Sequence, residues 1–340
     1  MQDSRVLAWL ERRVRRTFSL NRDVAVSLSF PLTGARTPVA IARWGEASSA
    51  VVKLFDEITR FVSCTFHLRY LQSRGLPVPG LLSWSVASRG SVPRRYLSIE
   101  EFVSGRTLDE LAPEERAGGR HAIARSLAAL HGCRRRSWGR VGAPRTGSYA
   151  RTYAGLALDR LGRLERDGPV DALGRLAVEL RGAARQIPRP GSYAMIHGHV
   201  NPGNFLIDGA NASLIDVGSA HYGDAARDLV RALHRLCPGR EEARKFMSDY
   251  FAVAGEQARE EFTRAEPLYA CDYVLRGTRG LADAWWREGT HSAAEIHEGI
   301  AARVDQCFEM LRPGGTRFVD LWPEARLEQL LTDRERGAHR

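Results

Sequence analysis

Residues 195–218 read MIHGHVNPGNFLIDGANASLIDVG, and few folds accommodate that order of side chains. Two short apolar runs, Phe205-Leu206-Ile207 and Ser213-Leu214-Ile215, flank the tetrad Asp208-Gly209-Ala210-Asn211. Short runs around turn-forming residues predict a β-hairpin. A hairpin folds back on itself, so Asn204 at its start and Asp216 at its end are expected close in space. An amide oxygen beside a carboxylate is a hard donor pair of the kind magnesium takes while keeping several waters. The same run also fits an ordinary hairpin with polar ends, and the upstream sequence decides between the two.

Lysine usage narrows the reading. The chain carries 50 Lys plus Arg residues, yet Lys53 and Lys245 are its only lysines. Lys53 lies inside the strand-like run Ser49-Ala50-Val51-Val52-Lys53-Leu54-Phe55. In a chain that uses Arg for nearly every cation, this lysine points to a place where a compact ammonium suits better than a planar guanidinium. The alternative is a chance lysine on a sheet face. Lys245, in an Arg- and Glu-rich segment, is expected on the solvated surface of a helix.

Taken in order, these segments resemble the aminoglycoside phosphotransferase and choline kinase branch of the protein-kinase-like fold. The catalytic loop of that branch typically reads H-G-D-x-x-P-G-N, and residues 197–204 here read HGHVNPGN, with His199 at the Asp position. The resemblance continues in Gly75-Leu76-Pro77-Val78-Pro79, in residues 100–108 (EEFVSGRTL), in residues 126–131 (SLAALH) and in Gly223-Asp224-Ala225-Ala226-Arg227-Asp228-Leu229. It spans roughly residues 25–290.

This resemblance implies an α+β, bilobal protein-kinase-like fold. A small, mostly antiparallel β lobe would occupy residues 1–103, with a leading helix, one further helix and the nucleotide site. A larger, mainly helical lobe would occupy residues 104–340, with the catalytic loop, the magnesium site and the acceptor region. The implied cofactors are ATP (or GTP) and Mg²⁺. Lys53 would hold the α- and β-phosphates, and Gly34 and Arg36 would lie in the turn covering them. The backbone around Glu100 and Phe102 would meet the base. Asn204 and Asp216 would hold the metal and His199 would face the acceptor hydroxyl, while His197, Asp224 and Asp228 brace the loop.

Three positions depart from the family pattern. The Glu expected on the first N-lobe helix, eleven residues before Gly75, is Cys64, with Glu57 or Asp56 as substitutes if the helix is displaced. The turn Leu32-Thr33-Gly34-Ala35-Arg36-Thr37 carries one glycine where two are common. The third departure is His199, and it leaves two outcomes open. Phosphoryl transfer depends mostly on positioning and electrostatics, so an imidazole base supports an active enzyme whose rate declines in acid. Alternatively the chain is a pseudokinase that binds nucleotide or a partner peptide without transfer. A reading from different chemistry uses His197 and His199, which project to one side of an extended segment. With Asp216 and His221 they would hold a transition metal in a hydrolase or lyase.

Composition bounds the rest. At 340 residues and 44% hydrophobic, the chain can bury a substantial core in two lobes. No apolar run approaches the length of a membrane span, and residues 5–18 form a charged amphipathic helix rather than a signal peptide. Five scattered cysteines, odd in number and without C-x-x-C spacing, predict reduced thiols in a cytoplasm. Helices are expected over 59–74, 117–131, 149–166, 170–186, 225–236, 240–255, 268–286 and 292–311, with the region after Leu108 chiefly helical. The charged tail 321–340 is expected to fray.

A net charge of +10 suits phosphate-bearing substrates and an acidic peptide. Its Arg residues are dispersed, and beyond Arg134-Arg135-Arg136-Ser137-Trp138 no basic motif carries interleaved stacking aromatics, which argues against nucleic acid. The expected acceptor is a small-molecule hydroxyl, as of a sugar or natural product, or a Ser or Thr in a biosynthetic peptide. A protein partner is possible; a membrane is not expected. Tyr269, Tyr273, Trp285 and Trp286 are candidates for the acceptor wall, or for core.

Overall fold

A computed structural model describes residues 4–30, 37–87, 96–164, 170–288 and 292–318, apart from 313 and 316. Gly34, Arg36 and the tail 321–340 lie outside the described residues. In chain order the elements begin α1 (Ser4–Thr17), β1 (Val26–Ser29), β2 (Val39–Trp44), β3 (Ser48–Phe55), α2 (Ile58–Ser73), β4 (Leu81–Val86), β5 (Tyr96–Glu101) and α3 (Arg116–Gly132). They continue β6 (Arg134–Arg135), β7 (Trp138–Arg140), β8 (Ala143–Arg145), α4 (Tyr149–Leu164), α5 (Val170–Gln186), β9 (Tyr193–Ile196), β10 (Phe205–Asp208), β11 (Asn211–Leu214) and β12 (His221–Gly223). The last four are α6 (Ala225–Leu236), α7 (Arg240–Ala254), α8 (Glu256–Glu288) and α9 (Ala293–Leu311). By compactness the chain forms one unit from Met1–Ser126 with Gly203–Ala220, and another from Leu127–Pro202 with His221–Arg340.

The first unit is built on an antiparallel sheet of order β1-β2-β3-β5-β4, with one register shift between Leu81 and Ser83 where β4 pairs β5. Ala50, Val52 and Leu54 of β3 and Leu97 and Ile99 of β5 are buried in one core with Val6, Trp9, Leu10 and Val14 of α1. That helical stripe follows the i, i+3, i+4, i+8 spacing, so one face of α1 is apolar and lies on the sheet. Ala40, Ala42 and Ala50 keep the sheet surface beneath the helix shallow. Leu10 and Val14 are fully buried, contributing about 1.5–3 kcal/mol each. Because strand side chains alternate, this core leaves Val51, Lys53, Ser98 and Glu100 on the opposite face. Helix α2 contributes there, burying Phe61, Cys64, Leu68 and Leu71, and Phe61 stacks on Tyr96 of β5 with ring centroids 5.4 Å apart.

The hairpin β10–β11 belongs to this unit. Its register pairs Phe205 with Leu214 and Asp208 with Asn211, and Gly209 takes the left-handed conformation the turn needs (φ 57°). Gly105 lets the backbone bridge from Arg106 to Ile207 close up: a Cβ there would sit 2.9 Å from the Ile207 oxygen.

The second unit is chiefly helical, as expected after Leu108, with one addition that the sequence did not signal. It contains a five-stranded sheet of order β6-β9-β12-β7-β8. Its strands are two to four residues long, too short for a period-2 pattern to register, and β6 and β8 are Arg-bearing and largely exposed. β9 is buried along its whole length. The helices match expectation closely except for α8, which runs 33 residues from Glu256 straight through Pro267. Proline removes one backbone hydrogen bond and normally ends a helix. Here α8 packs against α4, α6, α7 and α9, and that burial carries the helix across the missing bond. No helix among the described residues is long and apolar enough to cross a membrane.

Candidate active site

Lys53 and Glu100 reach each other because the register of β3 and β5 places them on one sheet face. Lys53 lies opposite Ser98, and Glu100 follows two residues on. Lys53 Nζ is 2.8 Å from Glu100 Oε2, and Ser98 Oγ donates to Glu100 Oε1 at 2.8 Å. The Glu100 side chain is 1% exposed. Burial works against the Lys53 charge, but Glu100 outweighs it, Asp216 adds to the pull, and the ammonium titrates above its ordinary range. Burial pushes the Cys64 thiol up to about 12 although Lys53 opposes it, so Cys64 is neutral. Asp56 and Glu57 are exposed, and Glu57 is the residue that begins α2. The carboxylate on Lys53 therefore comes from a strand rather than from either substitute proposed on the sequence. Glu100 was singled out for its backbone; the signal for its side chain was its even spacing from Ser98 in a strand beside Lys53.

The hairpin delivers the second pair. Ile215 N–H donates to the Asn204 carbonyl at 3.0 Å, which closes the hairpin and sets Asp216 directly after that bond. Asn204 is 8% exposed at the end of a 3-10 turn, Pro202–Asn204. Asp216 is left-handed (φ 55°, ψ 47°), a rare state for a residue with a side chain and one often found where function fixes a side chain's direction. Nothing in the sequence signalled it. Ser63 of α2 donates to the Gly218 carbonyl at 2.9 Å, pinning the turn that follows. Leu214 N–H donates to Pro77 O at 2.8 Å, and Glu101 N–H to Gly80 O at 2.7 Å. The stretch 77–80 thus ties the hairpin to the end of β5, next to the partly exposed Phe102. An amide oxygen and a carboxylate oxygen are hard donors of the kind magnesium takes, and the Lys53 ammonium, close enough to feel the Asp216 charge, suits a phosphate chain.

In the second unit the loop after β9 is clamped by α6. His197 N–H donates to Asp228 Oδ2 at 2.6 Å and Gly198 N–H to Oδ1 at 3.0 Å. His131 Nε2 stands 3.5 Å from Oδ2, and its Nδ1 is 2.8 Å from the Tyr250 hydroxyl. Burial would raise the Asp228 carboxyl, but His131, His197 and Arg227 around it win and hold it well below the usual carboxylate range. Arg231 Nε donates to Val200 O at 2.7 Å. Gly198 has φ 76°, which a side chain would resist. His199 is half-buried, and its N–H donates to His197 Nδ1 at 3.3 Å.

That bond bears on the two-histidine metal reading. His197 is fully buried with Nδ1 engaged, and His221 Nε2 meets the Tyr149 hydroxyl at 3.0 Å. Among the described residues no group of three or more His, Cys, Asp or Glu side chains is placed to hold a metal. Of the aromatic candidates, Tyr269 is core, 2% exposed and packed edge-on to Tyr153. Tyr273 bonds His234 at 2.9 Å, and the side chains of Trp285 and Trp286 lie outside the described ones. Lys245 is exposed on α7.

Asp224 caps α6, accepting from Ala226 N–H at 3.1 Å. Burial raises its carboxyl to about 6, with the Ala226 bond opposing. A raised acid binds its proton more tightly in the folded state, so its contribution is present below the unfolded value near 3.9 and lost as pH rises through about 6. Asp224→Asn keeps a capping oxygen and cannot ionise. It is expected to gain on the order of 1 kcal/mol over the wild type at pH 8, and the difference should vanish at pH 4. Urea unfolding at pH 4, 6 and 8 measures this; a difference constant across the three would refute it.

The model of the phosphotransferase enzyme family (APH) matches residues 40–264. The chain belongs to this family. The match takes in β2 through the first part of α8, including every element that positions the groups above. A candidate fructosamine-3-kinase from Thermobifida fusca YX-ER1 superposes on this phosphotransferase with TM-score 0.58 and 21% identity, covering 88% of this chain and 98% of that one. A candidate aminoglycoside phosphotransferase from Ralstonia eutropha JMP134 does so with TM-score 0.61 and 14% identity, covering 90% and 97%. A thermostable mutant of aminoglycoside phosphotransferase APH(4)-Ia, solved with ADP and hygromycin B, gives 0.58 and 17% over 90% and 99%. Identities this low establish the kinase-like α+β fold. No curated protein sequence matches the phosphotransferase.

Proposed function

We propose that this chain transfers the γ-phosphoryl group of ATP, with Mg²⁺, to a hydroxyl of a small molecule. The observation that carries the reading is the grouping of Lys53, Asn204 and Asp216 in one compact unit of a phosphotransferase family member. Lys53 would bind the α- and β-phosphates, and Asn204 and Asp216 would hold the metal. When bound there, magnesium would supply positive charge that offsets the phosphate oxygens. His199 would take the acceptor proton while the acceptor oxygen bonds to phosphorus and ADP departs. Asp228 and Arg231 keep that loop fixed, which matters because positioning supplies most of the catalysis here. The APH(4)-Ia complex with ADP and hygromycin B supports ATP as donor and a sugar-like hydroxyl as acceptor. The free thiols support a cytoplasmic setting.

His199 at the Asp position favours one rival, a pseudokinase that binds nucleotide without transfer. Calorimetry of ATP with and without Mg²⁺, on the wild type and His199→Asp, separates the two. Magnesium-dependent binding and phosphorylation of a sugar acceptor by the wild type is the expected result. Turnover by His199→Asp alone would establish the pseudokinase, and no binding by either protein would remove the nucleotide reading.

A further inference from the structure

Lys53 is held by its own sheet. Its partner Glu100 is fixed at both oxygens, Oε2 by Lys53 Nζ at 2.8 Å and Oε1 by Ser98 Oγ at 2.8 Å. All three residues lie on adjacent strands whose register runs unbroken from Ala50↔Glu101 to Phe55↔Tyr96. Helix α2 offers no carboxylate in return. At the place where the family resemblance puts a helix Glu it carries Cys64, 3% exposed, with its thiol pushed up to about 12 and therefore uncharged. The helix stays in position by other means, through Ser63 on the Gly218 carbonyl and the packing of Phe61 against Phe55 and Tyr96.

We propose that Glu100 is the positioning residue for Lys53, so that the anion of the lysine clamp has moved from helix α2 to strand β5 and Cys64 marks the position it left. The proposal rests on the phosphotransferase reading above. A lysine has four rotatable bonds, and without a fixed anion its ammonium spreads over many positions. Glu100 selects one of them before any phosphate arrives, which lowers the ordering cost of binding. A carboxylate on a neighbouring strand cannot be withdrawn by a helix movement. The clamp in this chain is therefore set by sheet register and stays closed wherever α2 moves.

Because Lys53 and Lys245 are the only lysines, a Lys245→Arg background leaves a single lysine signal for NMR with selectively labelled lysine. In that background the Lys53 side-chain signal at pH 7 should move toward that of a free, rotating lysine in Glu100→Gln, and Mg-ATP affinity should drop at least about tenfold. Adding Cys64→Glu to Glu100→Gln returns an anion from the helix side, and most of the lost affinity should return with it. Circular dichroism verifies folding, and Glu100→Asp, which keeps the charge on a shorter arm, should lie between wild type and Glu100→Gln. An unmoved Lys53 signal at pH 7 in folded Glu100→Gln would overturn the proposal. So would a folded double variant no better than Glu100→Gln. A wild type that binds no Mg-ATP, with Lys53 still responding to Glu100→Gln, would overturn the phosphotransferase reading and leave the Glu100 hold on Lys53 standing.

Discussion

Asp216→Asn should lose magnesium-dependent ATP binding by at least about 100-fold, roughly 2.7 kcal/mol, and phosphoryl transfer by more. Asn is the informative substitution because Asp216 is left-handed (φ 55°). Alanine there would add a backbone penalty of about 1–2 kcal/mol, whereas Asn tolerates that conformation and removes only the charge. Asn204, joined to Asp216 through the Ile215 bond, would remain to hold the metal weakly. The check is calorimetry with ATP at fixed free Mg²⁺, alongside a thermal melt. A variant with wild-type stability and undiminished magnesium dependence would remove Asp216 from the site.

Asp228→Ala should be the most destabilising single change in the second unit, at about 3–5 kcal/mol. The carboxylate accepts from two loop N–H groups, His197 and Gly198, and faces His131. Removing it leaves those buried donors without their acceptor. Asp228→Asn keeps one acceptor and should cost about half as much. The pH dependence has a definite sign. The folded carboxyl titrates below its unfolded value, so its contribution is complete above that value, near 3.9, and is lost as pH falls below it. Urea titrations at pH 7 and pH 3 should show the wild-type advantage over Asp228→Asn shrinking in acid. Equal differences at both would mean that the charge contributes nothing.

The parts of this molecule that were legible in its sequence are those encoded by neighbours along the chain. The hairpin was announced by its two apolar runs and the Asp208–Asn211 tetrad, α1 by the spacing of Val6, Leu10 and Val14, and Lys53 by the scarcity of lysine. What remained hidden depends on register and tertiary packing. Glu100 meets Lys53 only once β3 and β5 pair in one particular alignment. The strands β6, β7 and β8 are too short to announce themselves, and α8 crosses Pro267 because of what surrounds it. The left-handed turn at Asp216 has no local signal, since Asp there follows an apolar strand as it does in many ordinary loops.

The first compact unit is assembled from two stretches of chain, Met1–Ser126 and Gly203–Ala220, with all of Leu127–Pro202 between them. On a ribosome its sheet emerges long before its hairpin. At about 5–20 residues per second, the intervening segment delays β10 and β11 by several seconds. During that interval Lys53 and Glu100 can already pair, because β3 and β5 precede the gap, whereas Asn204 and Asp216 do not yet exist in folded form. The half of the site proposed to grip phosphate is thus available to the nascent chain before the half proposed to hold the metal. Nucleotide can stabilise the finished unit through both halves only after residue 220 has left the exit tunnel.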